Sequence, residues 1–239
     1  FRSLRVGMSI NGRLETTDNP GLPGDDYNLP INAAYNNLPT LKPYANDNPN
    51  YPAISAPWAQ DSFGWMNYQH AGKMTDQWAV MQVNGTIEYE IIKGLKARGL
   101  FSYSLANRRL ENREYSYKFY EYDEENDSYN VVEAGTGRYI ERNMTMNHEM
   151  TSNIQLSYEN TFDQHHINAV LGFEAKKARY PYMYMLGNPE ANGIPFLDLT
   201  SLSNITDGIG NPQTRMGYIG RLNYDYANKY IIELSGRYD

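Results

Sequence analysis

Residues Met144–Phe162 read MTMNHEMTSNIQLSYENTF, and their alternation decides the fold. Every odd position from Thr145 to Thr161 is polar. The even positions carry Met144, Met146, Met150, Ile154, Leu156, Tyr158 and Phe162, with His148, Ser152 and Asn160 as exceptions. Successive side chains of a strand point to opposite faces, so the segment is a strand with one wet and one apolar face. A helix would scatter the same residues around its circumference.

The same parity recurs elsewhere. Gln77–Ile91 sets Ala79, Met81, Val83, Ile87 and Tyr89 against Gln82, Asn84, Thr86, Glu88 and Glu90. His165–Lys177 sets Ile167, Ala169, Leu171 and Phe173 against Asn168, Glu174 and Lys176. Arg215–Tyr226 and Lys229–Asp239 both keep their aromatic and aliphatic residues on even positions, apart from Ile219 and Ile231. Arg2–Glu15 and Leu95–Arg109 follow more weakly. Seven strands are expected. Strands of soluble sandwiches rarely exceed about ten residues, and these alternate for longer. A tilted strand crosses a bilayer in about nine to eleven residues and can project beyond it.

The connections alternate in length. Short ones fall near Lys93-Gly94, Asp163-Gln164-His165 and Ala227-Asn228-Lys229; long ones cover roughly 16–76, 110–143 and 178–214. A short helix is a candidate at Ile31–Leu38. Up-and-down strands collect the short turns at one end and the long loops at the other, as in outer-membrane barrels. The fold class expected is therefore all-β: an antiparallel up-and-down transmembrane β-barrel segment with long extracellular loops, residues 1–239 forming part of one barrel domain. The start at Phe1 and the stop at Asp239 in mid-strand lead us to expect an internal segment of a longer chain.

Composition agrees. The 239 residues include 22 Tyr against seven Phe and three Trp, and mean hydropathy is −0.69. No apolar run is long enough for a membrane helix, which leaves strand crossing open. Cysteine is absent, removing disulfides, thiolate metal sites and thiol nucleophiles. A net charge of −7 argues against nucleic acid as a partner.

The tyrosines supply a further test. Tyr89, Tyr158, Phe162, Tyr224, Tyr226 and Tyr230 lie near short turns with the parity of the apolar face. Tyr103, Tyr218 and Tyr238 share that parity about eight residues further on, which on a tilted strand is a rise of roughly 20 Å. Two aromatic girdles flanking an apolar band of about 25 Å are expected of a membrane barrel. These nine aromatics are the candidate membrane-interface residues.

Three stretches carry a family resemblance. GYIGRLNYDYANKYIIELSGRYD (Gly217–Asp239), GTIEYEIIKGLKARGLFSYS (Gly85–Ser104) and LSYENTFDQHHINAVLGFEAK (Leu156–Lys176) resemble strand-turn-strand units of the SusC/RagA family of TonB-dependent outer-membrane transporters of Bacteroidetes. The resemblance implies a barrel of about 22 strands, with a plug domain outside this chain. It also implies a SusD-like surface lipoprotein partner, TonB-ExbB-ExbD as energy source, and import of oligosaccharide or peptide fragments. The long loops match nothing in the family pattern.

Candidate sites are few. His165 and His166 lie at a short turn and, as strand neighbours, should point apart rather than share a metal; His70 and His148 stand alone. Asp123, Glu125 and Asp127 mimic the start of a calcium loop, but Ser128 and Ala134 occupy the positions needing Gly and Glu. A solvated loop tip is expected there. Asn84, Asn143 and Asn204 head glycosylation-like triplets that carry no weight in a bacterial outer membrane. Glu88 and Glu90 are read as lumen-facing. Trp58, Trp65 and Tyr68, in the first long loop, are low-ranked candidates for stacking on a sugar ring, with ordinary loop packing favoured over it. No catalytic constellation, metal set or cofactor motif stands out, so no enzyme is expected. The leading function is nutrient import across the outer membrane. The alternatives are a passive porin and a soluble β-sandwich acting as an adhesin or glycan-binding module.

Overall fold

The computed structural model describes residues 4–21, 35, 38–54 and 63–239. Nine strands occur among them: β1 (Leu4–Pro20), β2 (Gly72–Ile92), β3 (Leu95–Glu114), β4 (Tyr117–Asp123), β5 (Ser128–Gly135), β6 (Tyr139–Phe162), β7 (His165–Asn188), β8 (Ser201–Tyr226) and β9 (Tyr230–Tyr238). Seven form one antiparallel sheet in the order β1-β2-β3-β6-β7-β8-β9, and β4 pairs with β5 as a separate hairpin. Apart from that hairpin, inserted between β3 and β6, the connectivity is up-and-down. The helix expected at Ile31–Leu38 lies outside the described residues except for Tyr35 and Leu38.

Register carries the parity of one strand to the next. Directly paired residues share a face, and one row reads Val6, Ile87, Gly99, Ile154, Phe173, Tyr218, Tyr238 across all seven strands. The row beside it reads Arg5, Glu88, Arg98, Gln155, Gly172, Ile219, Arg237. A slip of one residue anywhere would have mixed the two. The apolar parities expected strand by strand therefore join into one continuous surface.

Turns at the short end hold this register. Gly94, between β2 and β3, has φ +83°, and a Cβ there would lie 2.3 Å from the Glu159 carbonyl oxygen. Asp163 (φ 53°), Ala227 (φ 53°) and Asn228 (φ 55°) adopt the left-handed conformation that closes the other two turns. Neighbouring turns are tied by Ala227 N–H donating to Gln164 O at 2.7 Å.

At the opposite end the strands run further than their alternation indicates. β6 and β7 have 24 residues each and β8 has 26. The loop expected at 178–214 shrinks to 189–200. A bulge accounts for the difference: pairing jumps from Ala178↔Gln213 to Tyr180↔Gly210, so Asn211 and Pro212 face Arg179 alone. The extra residue reverses the parity of β8, whose outward positions are even at Met216 and Tyr218 but odd at Ile205 and Ile209. Pro212 sits in the bulge, where its missing N–H costs no ladder bond.

The loop expected at 110–143 is also corrected. It contains the β4–β5 hairpin, which forms the centre of a small cap with residues of the first loop. Trp65, Ala71 and Phe119 are buried there, with Ile54, Met66 and Tyr117 packed around them. Ala53 bridges to Tyr120 in parallel, and Tyr51 stacks on Tyr129 at 3.7 Å between centroids.

Candidate functional site

The two faces of the large sheet differ in chemistry. Met150, Ile154, Leu156, Leu171, Leu222 and Leu234 are exposed on the outward face, Ile154 to 62 %. The buried apolar residues, among them Trp65, Leu110, Phe119 and Leu197, belong to the cap or the upper strand ends, and no second sheet covers the band among the described residues. Outward apolar runs such as Tyr89 to Ala79, Leu95 to Leu105 and Tyr226 to Met216 each match the about nine to eleven residues of a tilted crossing.

The other face is polar and cross-linked. Arg108 donates to Asp76 through Nε (2.9 Å to Oδ1) and Nη2 (2.8 Å to Oδ2). Lys176 pairs with Glu149 at 2.8 Å, Arg237 with Glu174 at 3.3 Å, Arg5 with Glu88 at 3.4 Å, and Arg221 with Glu233. Gln82 donates to Ser102 and Asn84 to Ser9, each at 3.2 Å. All but Arg237–Glu174, which reaches from β9 across β8 to β7, join neighbouring strands, so the charges that would oppose burial also pin the wall together. Its paired charges and amides are groups that water solvates well.

All nine tyrosine and phenylalanine candidates face outward by register. Tyr224 OH lies 2.6 Å from His165 Nδ1, and Tyr226 and Tyr230 stand 6.5 Å apart. Tyr103 OH lies 2.9 Å from His148 Nδ1, and Tyr218 packs on Phe173 at 5.2 Å. Asn160 donates to the Tyr158 hydroxyl at 3.0 Å. His166 turns to the inner face beside Thr161, 3.0 Å from its Oγ1, so the two adjacent histidines do point apart.

The first-loop aromatics divide. Trp58 lies outside the described residues. Trp65 is 1 % exposed, its ring 4.6 Å from Tyr117 and edge-on to Phe119 at 6.1 Å, so it is a packing residue with no face free for a sugar. Tyr68 is exposed, with the Lys73 ammonium 5.6 Å above its ring. The acidic tip is a hairpin turn: Asp123 Oδ1 accepts from the backbone N–H of Glu125 and Asn126, and Asn126 Nδ2 donates to its other oxygen at 2.8 Å. Asn126 lowers the Asp123 pKa below its ordinary value, through its side-chain amide first and its backbone N–H second. Its oxygens are thus occupied by the turn itself.

Sequence reasoning missed Asn192. Its Oδ1 accepts from Ser116 N–H at 3.1 Å and from Arg138 Nε at 3.0 Å, while its Nδ2 donates to Ser116 O at 3.2 Å. One amide joins the third loop to both ends of the second. Beside it, Asn50, Gln69, His70, Lys118, Tyr120 and Asn192 line a cleft of about 310 Å³. Amide, imidazole, ammonium and phenol groups around an open cleft suit a polar ligand rich in donors and acceptors. No local sequence pattern signals this cluster, because its members come from three loops.

No known sequence family matches the chain, and no curated protein matches it either. Solved structures do. The RagAB peptide transporter aligns over 98 % of this chain with a TM-score of 0.66 and 15 % identity, and the RagAB peptide importer in its "open-open" state over 98 % with 0.66 and 16 %. The "closed-closed" state aligns over 69 % with a TM-score of 0.56 and 16 % identity. The chain spans 26 %, 25 % and 17 % of those chains' lengths. At such identities the likeness is one of fold: a run of antiparallel wall strands carrying long loops at one end.

Proposed function

We propose that the chain is a wall segment and part of the outer cap of a bacterial outer-membrane transporter that imports oligosaccharide or peptide fragments. One observation carries the reading: a continuous apolar face that no layer covers among the described residues, backed by a face where cross-strand ion pairs collect. Water inside and hydrocarbon outside satisfy both, whereas a soluble sandwich would bury the apolar side. The structural likeness to a peptide transporter supports the same reading. The nine outward aromatics would sit at the two membrane interfaces, where an apolar ring with a polar tip is favoured.

In this reading the cap cleft takes part in capturing substrate. A SusD-like lipoprotein closes over the loops, and TonB-ExbB-ExbD drives displacement of a plug within the complete barrel. The segment contributes wall and binding surface, without covalent chemistry. A passive porin is the second reading, since a lumen lined by Arg5, Glu88 and Arg98 suits an open aqueous channel equally well. Uptake that stops when the proton gradient is collapsed separates the two.

The chain has no cysteine, so single cysteines report cleanly on the faces. With Ile154→Cys or Gln155→Cys in the full-length protein in intact outer membranes, a lipid-confined thiol reagent should label position 154, and a water-soluble one position 155. Water-soluble labelling of 154 at the same rate as 155 would refute the membrane reading.

A further inference from the structure

We propose that a notch on the outward face, at the junction of β3, β6, β7 and β8, binds a lipid whose phosphorylated headgroup carries a net negative charge. The proposal rests on the membrane reading above and adds a specific lipid site to it. The notch has a volume of about 490 Å³ and is lined by Tyr103, His148, Met150, Lys177, Arg179, Pro181 and Ile209. Register places these on one face: Tyr103 pairs with Met150 and Met150 with Lys177, while His148 pairs with Arg179 and Pro181 with Ile209.

The backbone makes the notch. Pairing between β6 and β7 lapses at Met146 and Asn147, where β7 passes through Tyr180 and Pro181, and Pro181 has no N–H to donate. On the other side of β7 the bulge leaves Arg179 without a β8 partner and re-aims its side chain. Two neighbouring ladders therefore loosen at the same height.

Its charge is distinctive. Lys177 and Arg179 are exposed, and neither forms an ion pair with a described residue. The outward cations Arg109 of β3 and Arg142 of β6 are by contrast neutralised, both by Glu111. Two uncompensated cations beside an apolar band are costly unless an anion meets them. In β7 they follow directly on the outward run from Ile167 to Ala175, at the end bearing the long loops, which is headgroup depth of the outer leaflet. A guanidinium and an ammonium together suit a phosphate, the first through its paired donors and the second as a point charge. Met150 and Ile209 offer apolar surface to an acyl chain below, and the Tyr103–His148 contact closes one side.

The test uses the full-length protein in detergent and native mass spectrometry of retained lipid. Phosphatidylglycerol and phosphatidylcholine of equal chain length are the probes, with inorganic phosphate as a third arm. Wild type should retain phosphatidylglycerol over phosphatidylcholine. Lys177→Gln with Arg179→Gln should lose that retention by about five-fold for each charge removed. The charge-keeping exchange Lys177→Arg with Arg179→Lys should preserve it, showing that the wall still folds. Equal retention of both lipids by wild type, no loss in the Gln variant, or displacement of the lipid by inorganic phosphate at matching concentration would each overturn the site. Lipid-side labelling of Ile154→Cys, carried out in the intact outer membranes before extraction, keeps the two claims apart. If it persists, only the lipid site fails; if it is absent, the membrane reading fails with it.

Discussion

Arg108 grips Asp76 across the β2–β3 ladder with both prongs of its guanidinium, at 2.9 and 2.8 Å, while its Cζ lies 5.7 Å from the Trp78 ring centre. Asp76 keeps only 15 % of its side chain exposed, against 33 % for Glu88, whose partner Arg5 is 82 % exposed. Loss of one partner at the better-buried pair leaves a charge with less water to turn to. Asp76→Asn should therefore destabilise the wall by about 1.5–3 kcal/mol, and Glu88→Gln by no more than about 1 kcal/mol. Urea unfolding of the full-length protein from vesicles measures both.

Ile154 and Gln155 are chain neighbours on opposite surfaces. Ile154→Arg puts a charge at the middle of the outward band and should cost about 2–4 kcal/mol. Gln155→Arg enters the polar side near Arg98 and should be tolerated to within about 1 kcal/mol. Heat-shift on gels and vesicle refolding yields report the difference. Equal penalties would mean that the faces are misassigned.

The turns make opposite demands on a methyl group. Gly94→Ala meets both a left-handed backbone and the Glu159 carbonyl at 2.3 Å, so a loss of at least about 1–2 kcal/mol is expected. Ala227→Gly relieves a side chain already held at φ 53° and should stabilise by about 0.5–1 kcal/mol. Paired unfolding curves for the two variants give the signs.

The β4–β5 hairpin should have an acid and an alkaline limit. Asp123 is held below its ordinary value, so its contribution is complete above pH 3.8 and fades as pH falls through the lowered value. Tyr122 donates to Asp127 at 2.7 Å, and that bond pushes its pKa up from 10.0 to about 12. Its contribution is complete below pH 10.0 and fades as pH rises through about 12. Subtracting the phenolate absorbance titration of Tyr122→Phe from wild type should isolate a late transition, and a difference centred at pH 10.0 would contradict the bond.

Trp65→Ala should cost about 3–5 kcal/mol, confined to the cap. Proteolysis of the loops would accelerate, while strand pairing in the wall, read by infrared amide bands, would persist.

The wall was legible in the sequence because a strand with one apolar face needs apolar chemistry only at every second position, and from Thr145 to Thr161 every odd position is polar while the even ones are apolar except at His148, Ser152 and Asn160. Register was not visible, yet the parities of all seven strands proved mutually consistent once paired. Legibility ends where the strands leave the apolar band. Above it, Tyr180, Tyr182 and Tyr184 on one face of β7 accompany Met183 and Met185 on the other, so alternation vanishes although the strand continues. A further bulge, at Val132 opposite the Phe119–Tyr120 step, interrupts the alternation of β5. The burial of Trp65 and the clasp at Asn192 depend on contacts between loops far apart in the chain, for which local spacing holds no sign.

Asn192 fastens the cap to itself, and the ladders fasten the wall, so the two regions stand on separate foundations. A lineage could exchange the residues around the cleft, and with them the chemistry it presents, without disturbing a single pair among the strands below. Grafting another set of loops at Pro20, Gly72, Glu114, Tyr139, Asn188 and Ser201 would be the laboratory version of that evolution.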